Sequence, residues 1–542
     1  MIQELKTSIA SKVKELYGID IEPELTVPDE RFGDHATNVA LQAAKQLDKN
    51  SQEVATLLAG NLHGHSLLEK VEVAGPGFIN LTLKDEVLAG SANRAADLPK
   101  PYADQEILVE FGDPNPFKEL HIGHLYSAVA GDGVAGLLEA GGATARRLSY
   151  HGDVGLHVAR AIWAMQKQAG NLSNDLGSYY AEGAAAYDDD EQAKQQIREI
   201  NKHLYAKDDE TVNKLHEFGI KHSFAYFDKI FGELGIKYEP NGRYLESTAT
   251  DVGATIVKEN TGKVFEESEG AIVYKGEKAG LHTRVFINSE GLPTYEAKDL
   301  GLVELKAKDY PNAARSIIIT AHEQSEYFRV MLAALAEINP KLADKTTHLY
   351  HGFVSLSTGK MSSRTGEVYP ASELLDKVKG EVEKQYPDSK VTNAVYIGAV
   401  KYALLKHRLG PDIVFDINES ISLEGNSGPY LQYAHARARS ILQKAGGEGQ
   451  KNGVDKLEPA ERSLARKISQ YPEVVAKATE ELLPSHVCTY LYELAQNFNS
   501  FYETSRIIGD NRQAVRLGLV SSYANVLKSG LGLLNIAAPD HM

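Results

Sequence analysis

Six residues, "ILVEFG" (Ile107–Gly112), constrain this chain more than any others. So short and nearly continuous an apolar run is what a parallel strand covered on both faces requires. A loop with Pro114 and Pro116 follows, then a helical stretch from about Ile122 that stops at Gly141-Gly142, where glycine ends a helix without a Cβ penalty. "TARRLSY" (Thr144–Tyr150) supplies the next strand. Strand, loop, helix, strand is the opening of an open α/β sheet, whose ligands lie beyond the carboxyl ends of the strands. The segment "FKELHIGHLYSAVAGD" (Phe117–Asp132) therefore enters at the place where such a sheet puts its chemistry.

The chain has 542 residues, too many for one core, so several domains are expected. Residues 1–100 read as a small α+β unit. In it Asp34 is expected to N-cap a helix carrying Val39, Ala40, Leu41, Ala43 and Ala44, and "VEVAGPGFINLTL" forms a hairpin about Gly75-Pro76-Gly77. "DLPKPYADQ" is a linker. The parallel-sheet domain spans 104–375, interrupted at about 165–280 by polar helices. Its sheet pattern resumes with "RVFIN", "SIIITAH" and "LYHGFVSL". Residues 385–542 read as almost wholly helical.

No apolar stretch approaches the roughly 20 residues that span a bilayer, and the start "MIQELKTSIASKVKEL" has no signal-peptide pattern, so no membrane is expected and the cytoplasm is the simplest location. Cys488 is the only cysteine, which excludes an intrachain disulfide and a thiolate zinc site. A net charge of −16 argues against indiscriminate nucleic-acid binding, though a local basic surface remains compatible with it.

His121 and His124 are three apart, with Gly123 between. A catalytic metal needs three protein ligands, and no carboxylate or third histidine follows at ligand spacing. A core role fits poorly with a proline-rich loop at a strand end. Anion binding fits best, because the free N–H groups of a helix start attract phosphate. Gly123 allows close approach to the backbone, and both imidazoles can donate hydrogen bonds to charge that grows during reaction. Downstream, "KMSSR" (Lys360–Arg364) follows a strand-like "GFVSL", and cations on such a loop can close over phosphates from the other side.

"HIGH" followed by "KMSSR" resembles the signature pair of class I aminoacyl-tRNA synthetases. "VEFGDPNPFKELHIGHL", "LPTYEAKDLGL", "AHEQSEYF", "SLEGNSGPYLQYAHARARSI", "FNSFYETSRII" and "GLGLLNIAAPDHM" narrow the likeness to arginyl-tRNA synthetases. "FGDHATNVALQAAK" and "AGPGFINLTL" resemble that family's tRNA-contacting N-terminal domain. The resemblance implies a Rossmann-like catalytic domain with a helical insertion, preceded by a small α+β domain and followed by an all-α anticodon-binding domain. It implies ATP and L-arginine as substrates, the tRNA for arginine as partner, and magnesium accompanying ATP, with no structural zinc and a monomer as the default state. His121, His124, Lys118, Lys360 and Arg364 would be catalytic, with Gly123, Met361 and Ser362 also at ATP. Glu110, Asn115, Tyr295, Asp299 and Gln324 would hold arginine, whose charged planar fork needs carboxylates and acceptors. Asn426, Tyr430, Tyr433, Arg437, Phe32 and Asn38 would meet tRNA. Two positions depart from the usual pattern. Ser363 stands where a second lysine is common, with Arg364 one place later, and Gly112-Asp113 replaces small hydroxyl residues.

Outside these motifs, "YDDDE" (Tyr187–Glu191) reads as a helix cap, and His63-Gly64-His65 as a turn. "HARARSILQK" places His435, Arg437, Arg439 and Lys444 on a helix able to touch an RNA backbone. The competing readings are a class I synthetase for another amino acid, a small-molecule adenylate-forming ligase such as pantothenate synthetase, a non-catalytic tRNA-binding paralogue and a nucleotide-binding scaffold. The long helical C-terminal part disfavours the small-molecule ligase, and the retained histidines and loop cations disfavour the paralogue.

Overall fold

The computed structural model describes residues 1–542 other than 169–171, 358–368, 388–390, 448 and 450–455. Three strands, β1 (His35–Thr37), β2 (Leu68–Ala74) and β3 (Phe78–Leu83), form an antiparallel sheet in the order β1-β3-β2. The helices Ile2–Tyr17, Val39–Leu47 and Ser51–Leu62 bury Leu5, Ile9, Val39, Ala43, Val54 and Leu58 in this unit. Asp34 does not cap Val39–Leu47, because β1 intervenes and Asn38 occupies the N-cap. The buried Asp34 carboxylate instead accepts the Leu83 N–H at 2.7 Å and pairs with Arg462 at 2.6 Å. Arg462 also meets Asp85, so one guanidinium from the helix Pro459–Ser469 ties the first unit to the last.

The central sheet has five parallel strands: β4 (Glu106–Phe111), β5 (Thr144–His151), β6 (Arg243–Leu245), β10 (Arg315–Ala321) and β11 (Thr346–His351), in the order β11-β10-β4-β5-β6. Strand order reverses between β4 and β10, the switch point at which an open α/β sheet leaves a crevice. "RVFIN" does not join this sheet. It forms β9 (Arg284–Ile287) of a separate antiparallel sheet with β7 (Glu266–Ser268) and β8 (Ala271–Tyr274). "FVSL" likewise leaves the main sheet, as β12 (Val354–Leu356) paired with β13 (Ile413–Phe415). Strand propensity is visible in a sequence, whereas the choice of partner is a tertiary property.

Between β5 and β6 run the polar helices Leu156–Lys167, Leu176–Asp189, Glu191–Ala206 and Glu210–Glu233, which share a core around Ile162, Trp163, Tyr179 and Ile197. Asp190 caps Glu191–Ala206 through the Gln192 and Ala193 N–H groups, as "YDDDE" indicates. The helix Ile122–Ala140 is buried almost all round between the sheet and the C-terminal helices. Its Asp132 pairs with Arg147 of β5 and with the fully buried Lys401, both at 2.9 Å. Removing Asp132 would leave the buried Lys401 ammonium without its carboxylate, whereas Arg147 would keep Glu139.

The helices Glu246–Glu259 and Tyr295–Asp309 touch backbone to backbone. A Cβ on Gly253 would stand 1.9 Å from the Ala297 carbonyl oxygen, and one on Gly301 2.1 Å from that of Ala249. Gly301→Ala is therefore expected to force the helices apart and destabilise by about 1–3 kcal/mol. Urea unfolding should show a lower midpoint at unchanged slope; an unchanged midpoint would contradict this packing.

Candidate active site

His121 is the N-cap of Ile122–Ala140. Its backbone N–H donates to His124 Nδ1 at 3.1 Å, and its own Nδ1 accepts the Gly123 N–H at 3.1 Å. Two imidazoles thus cap the helix together, with ring centroids 3.8 Å apart. Because both Nδ1 atoms act as acceptors, each neutral ring carries its proton on Nε2 as a donor. Burial, aided by the Lys118 ammonium, pushes His121 down to about 4. Burial, then His121, Lys118 and His351, hold His124 well below the usual imidazole range. Both rings are neutral near pH 7. Glycine is needed between them, since a Cβ at Gly123 would stand 2.9 Å from the His121 ring.

The loop ahead of the histidines is pinned by the end of β5. Asp113 accepts the Tyr150 N–H at 2.8 Å, the Pro114 carbonyl accepts from His151 Nδ1 at 2.8 Å, and Asn115 Oδ1 accepts the Gly152 N–H at 3.2 Å. Asp113 thus faces strand backbone, and burial followed by the neighbouring Glu110 raises its carboxyl well above the usual range. Lys118 holds its ammonium 4.9 Å from the Tyr180 ring.

On the β10 side lies a buried acidic network. Glu110 does reach the strand end, but its carboxylate is taken up by the buried Lys306, at 2.5 Å. Asp299, also buried, accepts the Tyr327 hydroxyl at 2.8 Å, and the same hydroxyl lies 3.3 Å from Gln324 Oε1. Burial pushes Asp299 up to about 7; Tyr327 opposes this and Glu110 adds to it. Glu246 and Lys298 form a second buried pair at 2.5 Å. Tyr295 starts the helix that carries Asp299 but is 69% exposed, so it stands at the rim while Asp299 lies at depth.

Tyr327, Lys306, Lys298 and Glu246 were not among the residues singled out from the sequence. Tyr327 follows Gln324 by three and Lys306 follows Asp299 by seven, so both had a helical-face signal. Glu246 had none, because it arrives from the start of another helix.

Lys360, Met361, Ser362 and Arg364 lie outside the described residues. The chain just after them is placed: Pro370 bridges to His121, and the Ala371 N–H donates to the Leu120 carbonyl at 2.7 Å.

The residues expected at tRNA fall in two places. On and beside the helix Gly428–Lys444, Tyr433 is 45% exposed and Arg437 lies 4.2 Å over the Tyr502 ring. Tyr430 accepts from Asn499 at 3.0 Å, and Asn426 accepts the Tyr402 hydroxyl at 2.6 Å. His435 is not on this face; it is buried and bonded to the Pro539 carbonyl at 2.9 Å, while Arg439 turns to Asp540. In the N-terminal unit Phe32 is exposed beneath the Arg31 guanidinium, and Asn38 accepts from Gln42.

A parallel sheet whose order reverses beside β4, a histidine-capped helix following that strand and a mainly helical unit after the sheet define a class I aminoacyl-tRNA synthetase architecture. Residues 89–417 match the family described as tRNA synthetases class I (R), catalytic domain. Residues 3–83 match the arginyl tRNA synthetase N terminal domain, and 431–542 the DALR anticodon binding domain. The chain is 31% identical to the arginine–tRNA ligase of Thermobifida fusca over 99% of both proteins, and 32% identical to that of Colwellia psychrerythraea over 94% of both. The Thermus thermophilus arginyl-tRNA synthetase structure superposes with a TM-score of 0.85 at 28% identity, covering all of both chains. The chain belongs to the arginyl-tRNA synthetase family.

Proposed function

We propose that this chain joins L-arginine to its tRNA at the expense of ATP, working in the cytoplasm through an arginyl-adenylate. Two features of the chain around β4 support the reading: two Nε2–H donors at the start of the helix that follows β4, and the buried acid Asp299, which is held by Tyr327 and feels the charge of Glu110 on β4. In the first step the arginine carboxylate attacks the α-phosphate, forming a C(O)O–P bond and releasing pyrophosphate. In the second, a terminal ribose hydroxyl of the tRNA attacks the carbonyl, and AMP leaves. Neither step needs an enzyme nucleophile, so positioning and charge stabilisation do the catalysis. His121 and His124 donate to phosphate oxygens, assisted by Lys118 and by Lys360 and Arg364. Glu110, Asn115, Tyr295, Asp299 and Gln324 orient arginine, with Asp299 facing the guanidinium and Tyr327 fixing its carboxylate. Asn426, Tyr430, Tyr433 and Arg437 meet the anticodon end of the tRNA, and Phe32 and Asn38 another part of it. This divides the chain into a tRNA-contacting unit to residue 100, a catalytic part over 104–375 and an anticodon-binding part over 385–542.

Among the described residues no group of three or more His, Cys, Asp or Glu converges as an ion site. Magnesium is expected to arrive with ATP on its phosphates, neutralising their charge. No described helix is long and apolar enough to cross a membrane.

Arginine-dependent ATP–pyrophosphate exchange, run with and without tRNA against lysine, glutamine and cysteine, tests the reading. Exchange with arginine alone supports it, and exchange with another amino acid overturns it. Protonation adds a second check. A guanidinium needs Asp299 ionised, and in the free protein that acid titrates at about 7. Arginine affinity is expected to weaken by up to about tenfold per pH unit below 7 and to level off above 8, with proton release on binding. Calorimetry in buffers of different ionisation heat reads both; an affinity flat from pH 5.5 to 8 would contradict the assignment.

A further inference from the structure

Phe117 adopts φ 65°, a left-handed conformation that is a genuine outlier for a bulky residue. Its neighbour in the loop, Asp113, is also left-handed, at φ 41°. Strain of this kind persists only where the surroundings impose it. For Asp113 the end of β5 does so. For Phe117 the restraint comes from the polar helices between β5 and β6.

The Phe117 ring is fully buried in the core of those helices. It packs against Gly219, where a Cβ would stand 1.9 Å from the ring. Its N–H donates to the buried Ser223 hydroxyl at 2.9 Å, and its ring stacks with His216 at 6.3 Å. His216, Gly219 and Ser223 share one face of Glu210–Glu233, so the socket belongs to a single helix. The same helical unit supplies Tyr180, over which Lys118 holds its ammonium. Two consecutive residues, Phe117 and Lys118, are thus gripped from outside the sheet just before the histidine cap begins.

We propose that Phe117 is a positioning residue for catalysis: its ring, locked in the Gly219–Ser223 socket, holds the loop in its strained form and sets Lys118 beside His121. On this view the inserted helices are part of the ATP-handling machinery. The proposal rests on the adenylate-forming reading above, and the unaltered protein's arginine-dependent exchange checks that reading first.

The test uses Gly219→Ala, which pushes a methyl into the ring, Phe117→Leu, and the two together. Trp163, the only tryptophan, lies in the same helical core, so its emission reports whether the socket's surroundings stay folded. Gly219→Ala is expected to lower kcat for exchange by roughly 10- to 100-fold, since small misplacements near the chemistry have effects of that size, with KM for arginine within about twofold. Phe117→Leu alone underfills the socket and should lower kcat too, whereas leucine and the added methyl together refill it, so the double variant should exceed both single variants in kcat. Three results would overturn the proposal: parental kcat in Gly219→Ala with Trp163 emission unchanged, loss tracking only the unfolded fraction, or no recovery in a folded double variant. Absence of arginine exchange in the unaltered protein would instead overturn the functional reading.

Discussion

Asp299→Asn is expected to cut kcat/KM for arginine by roughly 200- to 5,000-fold without unfolding the protein. The carboxylate is buried on the helix Tyr295–Asp309, with the Tyr327 hydroxyl fixing one oxygen. An asparagine oxygen still accepts that hydroxyl, so the local hydrogen bond survives. The charge that balances a guanidinium does not. Leaving a buried ion without its partner costs about 3–5 kcal/mol, and each 1.4 kcal/mol is about tenfold. Stability gives an independent check with a definite sign. In the folded protein the acid titrates at about 7, whereas its ordinary value is 3.8. Between those values the folded chain holds a proton that the unfolded chain has lost. The contribution is therefore complete below pH 3.8 and is lost as pH rises through 7. The asparagine variant should lack this decline across pH 4–7, seen as a flatter dependence of the urea midpoint. Parental kcat/KM in a folded Asp299→Asn protein would remove Asp299 from the arginine pocket.

His124→Asn is the second large effect: kcat for exchange should fall by about 10²–10³, the scale on which single donors to developing charge act. His124 does two jobs, which this substitution separates. Its Nδ1 accepts the His121 N–H and so caps the helix; an asparagine oxygen occupies that place and keeps the cap. The Nε2–H donor, in contrast, disappears. Loss of a cap alone lowers stability by about 1 kcal/mol, so a folded His124→Asn protein with low kcat isolates the donor. His124→Gln, which restores an N–H near the Nε2 position, should recover part of the rate. The neutral state of the ring matters too. Because burial and neighbouring cations hold it far below the usual range, the rate should show no histidine titration between pH 6 and 8. Parental kcat in His124→Asn would assign the pair to helix capping only.

Legibility differed by the range of the interaction that decides each feature. "ILVEFG" and the glycine stop at Gly141-Gly142 announced β4 and the helix after it, because burial on both faces and helix termination are local signals. The hairpin at Gly75-Pro76-Gly77 was equally local. "RVFIN" and "FVSL" read as strands correctly, but their partners depend on residues far along the chain. Asp34 looked like a cap until the Leu83 amide and Arg462 claimed it. In the site, the histidine spacing was visible, whereas the depth that separates Asp299 from the exposed Tyr295, the Lys306 partner of Glu110 and the Glu246–Lys298 pair required helices to cross. The socket for Phe117 had no sequence signature, because a glycine within a helix does not say what lies against it.

Aminoacylation itself reveals which amino acid is placed on tRNA. Purified protein, ATP and total tRNA should be incubated with each labelled amino acid in turn, and acid-precipitable, alkali-labile label counted. Esterified label is expected with arginine alone. Label from any other amino acid, or none from arginine while the protein still binds tRNA, would overturn the arginine assignment.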